Sequence, residues 1–199
     1  EQANKPIPKN AVVLTHNQIH KGQPAMAQPV KLNAIRDRAL AAGGTFVHVS
    51  GNDPDPVEAA KQAIINAPPG LLLFASAHGS PDGIFFRDGG DDLGGGNVVK
   101  TKASRYISPE VLSQAFALRY KNPEKKPEDD LILSHACYQS DYAEEFALQT
   151  ERKEFYMPLF GAPSEQGTTA TGHANTPLGT KIEENWLTAK TRGDLFKQE

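Results

Sequence analysis

Leu71-Leu72-Leu73-Phe74-Ala75-Ser76-Ala77-His78-Gly79 is an apolar run that ends on a histidine, and Leu131-Ile132-Leu133-Ser134-His135-Ala136-Cys137 is a second that ends on the only cysteine of the chain. Both are bounded by turn or polar signals and lack polar alternation, the pattern of strands buried on both faces of a parallel sheet. Open α/β sheets carry their sites at the carboxyl ends of the strands. With His78 closing one strand and Cys137 another, imidazole and thiol are expected to meet at one sheet edge, an arrangement suited to acyl transfer.

Working outward, Ala11 to Thr15 is a buried-strand candidate, followed by a polar loop with His16, Asn17 and His20. Leu32, Ile35 and Ala39 recur at helical spacing between about Val30 and Ala42, and Gly43-Gly44 stops that helix. A strand over Thr45 to Ser50 and a helix with Val57, Ala60 and Ile64 on one face lead to Pro68-Pro69-Gly70 and the first apolar run. The order β-α-β-α-β predicts parallel strands joined by helical crossovers. Beyond His78, Ile84-Phe85-Phe86 and Val98-Val99 flank an acidic, glycine-rich segment from Asp88 to Asn97 and suggest a hairpin or flap. Ser108-Pro109 opens a helix with Leu112, Ala115 and Phe116 inward. After a charged connector, Lys121 to Asp130, comes the strand toward Cys137, then a helix near Asp141 to Gln149 with Asp141 and Glu144 as a capping-box pair. Tyr156 to Ala162 reads as an edge strand because of Pro158. Thr180 and Glu183 form a second capping box ahead of Ile182, Trp186 and Ala189.

The composition bounds what this order can be. With 199 residues, 38% hydrophobic and 23% charged, the chain can bury one sizeable core. A net charge of −3 without a basic, aromatic-interleaved stripe argues against nucleic acid as partner. No apolar run is long enough to span a bilayer. One cysteine excludes an internal disulfide. Residues 1–10 read as an extended N-terminal tail and 11–199 as a single domain. The start at Glu1 rather than Met gives the expectation of a secreted or periplasmic chain after removal of a leader.

A thiol becomes a strong nucleophile when an imidazole or a helix N-terminus favours its thiolate. A lone cysteine after an apolar strand is otherwise a small buried hydrophobe. Gly79, directly after His78, leaves room for a substrate and offers a backbone N–H to an oxyanion. His-Gly after one strand and Ala-Cys after a later one is a more specific signal than either dipeptide.

On these residues the chain resembles the caspase-fold cysteine peptidases. Ser76-Ala77-His78-Gly79-Ser80-Pro81 and Ser134-His135-Ala136-Cys137-Tyr138 are most similar to the legumain-like branch, with the order of elements from Ala11 to Ala162 matching the core of that fold. The resemblance implies an α/β, caspase-like three-layer α/β/α sandwich with a mostly parallel central sheet. It implies a cysteine endopeptidase in which Cys137 attacks the scissile carbonyl and His78 protonates the leaving amine. The N–H groups of Gly79 and Cys137 would hold the oxyanion, and Asn17 would orient the histidine. No cofactor and no metal are implied, and the partner is a peptide or protein substrate.

The chain departs from the family at His135. Relatives carry a glutamine or carboxylate two positions before the cysteine, and an imidazole supplies no fixed charge for arginine or lysine. Cleavage after a non-basic residue, Asn- or Asp-like, is therefore expected, with Ser164 in the Gly161 to Gly167 loop as a further pocket contact. His135 could equally be a core histidine bonded to backbone. Three other readings stand beside the peptidase: a legumain-like transpeptidase or ligase, a catalytically silent peptide-binding module, and a zinc site of His78, His135 and Cys137. The Asp88 to Asn97 segment lacks the spacing of an EF-hand, and the Lys121 to Lys126 cluster reads as solvent-facing.

Overall fold

The computed structural model describes residues 4–15, 19–20, 23–24, 32–76, 78–86, 90–92, 98–100, 106–134, 139–161 and 188–196. Its strands are β1 (Asn10–Thr15), β2 (Ile19–His20), β3 (Gln23–Pro24), β4 (Phe46–Ser50), β5 (Leu71–Ser76), β6 (His78–Ser80), β7 (Gly83–Phe85), β8 (Gly90–Asp92), β9 (Val98–Lys100), β10 (Tyr106–Ile107), β11 (Leu131–Ser134) and β12 (Leu159–Gly161). The helices are α1 (Leu32–Ala41), α2 (Pro56–Asn66), α3 (Pro109–Arg119) and α4 (Gln139–Arg152). A five-stranded sheet in the order β12-β11-β5-β1-β4, parallel at every pairing, forms the centre.

Helices cover both faces of this sheet, which is why its three inner strands, β1, β5 and β11, are largely apolar on both sides. Val12, Leu73 and Ile132 stand in register across β1, β5 and β11 and pack with Ala60 and Ile64 of α2, Phe116 of α3 and Phe146 of α4. Their neighbours Val13, Phe74 and Leu133 point the other way, onto Ile35 and Ala39 of α1 and onto Ala189 and Leu195. The alternation invisible in the sequence is therefore present in space, as the two-residue period of a strand demands.

Local chemistry sets the helix starts. Ser108 Oγ accepts from Val111 N at 3.2 Å and Asp55 Oδ1 from Glu58 N at 3.2 Å, and each cap is followed by a proline whose missing N–H costs nothing there. Gly70, at φ +86°, makes the turn into β5, and a Cβ on Gly44 would lie 2.0 Å from the Lys9 carbonyl oxygen.

The amino ends of the central strands are locked by a buried ionic network. Arg119 and Asp130 are each 1% exposed, yet every donor of the guanidinium is used. Nε reaches Asp130 Oδ2 at 2.7 Å, Nη2 reaches Asp130 Oδ1 at 3.0 Å and the Pro68 carbonyl at 2.9 Å, and Nη1 donates to the carbonyls of Ile64 and Ala67. Asp130 also accepts from Leu71 N and from the Tyr120 hydroxyl, both at 2.7 Å. One ion pair thus ties the ends of α2 and α3 to the starts of β5 and β11. The Lys121 to Lys126 cluster is largely exposed, as expected, and the connector ends on this buried carboxylate.

Residues 188–196 complete the α1 face. Arg38 of α1 donates to the Ala189 carbonyl, and Pro6 forms a bridge with Thr191. Arg192 donates through its backbone N–H to Lys5 O at 3.0 Å and through Nη1 to Asp130 O at 3.1 Å.

Three local expectations are corrected. β5 stops at Ser76, and His78 opens β6 rather than closing the long strand. The ladder partners explain this: β1 ends at Thr15 opposite Ser76 and β11 at Ser134 opposite Ala75, so no neighbour continues the sheet. Of the hairpin or flap expected beyond His78, the hairpin between the two apolar pieces is not formed among the described residues, since β7 pairs β6 and β10, and β9 pairs β8. Helix α4 begins at Gln139, which places Asp141 inside the first turn instead of at a cap. The capping box at Thr180 and Glu183 lies outside the described residues.

Candidate active site

The carboxyl edge of the sheet is built by β1, β5 and β11. Counted along the chain the five central strands lie in the order 2-1-3-4-5, so the direction of winding reverses between β1 and β5, the position where open α/β sheets form their ligand crevice. Asn17 follows β1, His78 follows β5, and Cys137 follows β11. Because Ala75 and Ser134 are direct register partners, His78 and Cys137 each lie three residues beyond a matched pair on adjacent strands.

The segment carrying the cysteine is clamped at both ends. Ser134, the last residue of β11, donates its hydroxyl to Oε1 of Gln139, the first residue of α4, at 2.6 Å, and both side chains are buried. Residues 135–138, including His135 and Cys137, lie outside the described residues, as do Asn17 and Ser164. Helix α4 opens two residues after Cys137, closer than the sequence suggests, and the partial positive charge of its first turn lies on that side.

The His-Gly motif is placed by its backbone. His78 pairs with Phe85 and Gly79 with Ile84 in an antiparallel hairpin whose Pro81-Asp82 turn is held by Asp82 N donating to Ser80 Oγ at 3.1 Å. That hairpin joins β10 in a three-stranded sheet. β6 packs against α4, and the Tyr142 hydroxyl of α4 donates to the Ile107 carbonyl of β10 at 3.1 Å. Complete burial pushes the Tyr142 phenol far above its ordinary range, so it stays a neutral donor. The helix that begins after Cys137 and the hairpin that begins with His78 are consequently one packed unit.

A polar group at this edge was not singled out by the sequence. Thr15 Oγ1 lies 2.8 Å from Nε2 of His48, and Ser50 N donates to Asp53 Oδ2 at 2.9 Å just beyond the end of β4. Desolvation lowers the His48 pKa, and the Asp53 carboxylate partly offsets that shift. No local signal in the sequence marks this pair, which comes from register: His48 pairs with Val13 and Ser50 with Thr15, which puts His48 and Thr15 on the α1 face.

Among the described residues no group of three His, Cys, Asp or Glu side chains is arranged to hold a metal ion, and no helix is long and apolar enough to cross a membrane. Comparison of the chain with protein-family models, with curated proteins and with solved structures finds no match.

Proposed function

We propose that the chain is a cysteine endopeptidase on a caspase-like three-layer α/β/α sandwich, with Cys137 as nucleophile and His78 as its proton-transfer partner. The observation that carries this reading is the direct, in-register parallel pairing of β5 with β11, with no strand between the two motif-bearing ends. The start of α4 two residues after Cys137 adds electrostatic support for a thiolate.

In the reaction the Cys137 thiolate adds to the scissile carbonyl carbon, and the displaced π electrons form an oxyanion that accepts from the N–H groups of Gly79 and Cys137. Collapse breaks the C–N bond, and the leaving amine takes a proton from the His78 imidazolium, leaving a thioester. Water then gives a proton to neutral His78 as its oxygen attacks the thioester. The second collapse releases the acid and restores the thiolate. Asn17 orients His78, while His135 and Ser164 line the pocket for a non-basic residue before the cut.

The test is intact-mass analysis after exposure to peptidyl acyloxymethyl ketones carrying Asn, Asp or Arg next to the reactive group. A single adduct on Cys137, absent after His78→Ala and strongest with Asn or Asp, is expected. A Cys137 that iodoacetamide alkylates but no peptidyl probe labels would overturn the proposal.

A further inference from the structure

The carboxyl end of α4 borders a crevice of about 470 Å³, within the usual size range of small-ligand sites. Ala147, Phe155, Tyr156 and Met157 supply apolar and aromatic wall, and Glu151 and Glu154 supply two carboxylates. Tyr156 is 87% exposed. A helix of fourteen residues, about 21 Å at 1.5 Å per residue, separates this crevice from the start of α4 near Cys137.

The backbone here is strained in an informative way. Phe155 N donates to Thr150 O and Glu154 N to Glu151 O, both at 3.1 Å, the two bonds of a Schellman end to α4. That motif needs a left-handed residue, and the residue is Glu154, at φ +60°, where glycine is the usual occupant. Glu154 and Phe155, the two residues of that ending, both line the crevice.

The charges agree. The basic residues at the end of α4 and just beyond it reach back along the helix: Arg152 Nη1 lies 3.9 Å from Glu145 Oε2, and Lys153 Nζ donates to Gln149 Oε1 at 3.3 Å. Among the described residues neither Glu151 nor Glu154 has a cation within ion-pair distance, and the negative end of the α4 dipole lies beside them. We infer that this crevice binds a cation on an apolar or aromatic stem, an alkyl- or arylammonium or a guanidinium, with the charge on Glu151 and Glu154 and the stem against Phe155, Tyr156 and Met157. Aromatic faces add to the attraction for such a cation. This site is independent of the proposed peptidase chemistry.

Met157, one of two methionines, gives a direct reporter through its labelled methyl NMR signal, assigned with Met157→Leu. Phenethylamine and the peptide acetyl-Gly-Arg-Phe-Gly-amide are titrated against 2-phenylethanol and the same peptide with Gln for Arg. The cationic probes should move the Met157 signal saturably and the neutral ones should not, and whichever cation saturates at lower concentration identifies a free amine or a peptide side chain as the source. Glu151→Gln should weaken binding by about threefold or more. Glu154→Gly should weaken it likewise while raising the melting temperature by about 2–4 °C, because the left-handed position is relieved. A Met157 signal that neither cation moves, or that 2-phenylethanol moves as readily, overturns the inference. So does unchanged binding in both Glu variants.

Discussion

The Asp130 carboxylate meets the Arg119 guanidinium through two parallel bonds, Nε to Oδ2 at 2.7 Å and Nη2 to Oδ1 at 3.0 Å, with both side chains sealed from solvent. The same carboxylate accepts from Leu71 N, so it fixes where β11 starts against β5. A slip of one residue there would turn Ala75 and Ser134 to opposite faces and carry the two motif-bearing ends out of step.

Arg119→Met should therefore cost about 3–5 kcal/mol, since it strands a buried carboxylate. Tyr120→Phe removes one hydrogen bond to the same group and should cost less, about 1.5–3 kcal/mol. Urea unfolding of the two variants checks the order, and a loss below about 1 kcal/mol for Arg119→Met would show that the pair is not what holds the strand starts.

His48 should titrate below the ordinary imidazole value of about 6.5, because desolvation disfavours its charged form. In the window below 6.5 the unfolded chain binds more protons than the folded one. The stability contribution is thus fully present above 6.5 and is lost as pH falls through that value toward the folded pKa. Imidazole NMR titration measures the midpoint, and Asp53→Asn should lower it further, since Asp53 is the group that pulls it up. A midpoint above 6.5 would contradict the desolvation argument.

For the proposed dyad, Cys137→Ala should abolish peptide hydrolysis and His78→Ala should reduce the rate by about 100-fold or more, the usual scale for a positioned acid or base. Replacement of His16, His20, His48 or His173 should have far smaller effects. Steady-state assays on the six variants, with circular dichroism to confirm folding, decide whether His78 is the right histidine.

Specificity is expected to follow position 135. Asn or Asp before the cut should be preferred to Arg or Lys, and His135→Asp should shift preference toward Arg by charge complementarity. A peptide library cleaved chiefly after basic residues by the unmodified chain would refute this pocket without touching the dyad.

The central strands were legible because burial on both faces writes itself as an uninterrupted apolar run, and α2 and α3 because Asp55-Pro56 and Ser108-Pro109 are local signals. α1 was legible from Leu32, Ile35 and Ala39. What escaped the sequence depends on partners distant along the chain. The end of β5 is set by where β1 and β11 stop, which no residue near His78 records. Asp141 and Glu144 mimic a cap, whereas α4 actually starts at Gln139, whose partner Ser134 belongs to the preceding strand. Nothing near Arg119 or Asp130 in the chain marks them as a buried pair, because the carbonyls of Ile64, Ala67 and Pro68 that converge on the guanidinium lie more than fifty residues away. The relation of Thr15 to His48 appears only once their strands are in register.

The bridge between Pro6 and Thr191, with Arg192 bonded to Lys5, closes the segment between them into a ring in every sense but the covalent one. Scission of a single exposed peptide bond between those anchor points would open the ring without releasing a fragment. The two halves left by such a cut would stay joined through the strands of the central sheet as well as through this clasp.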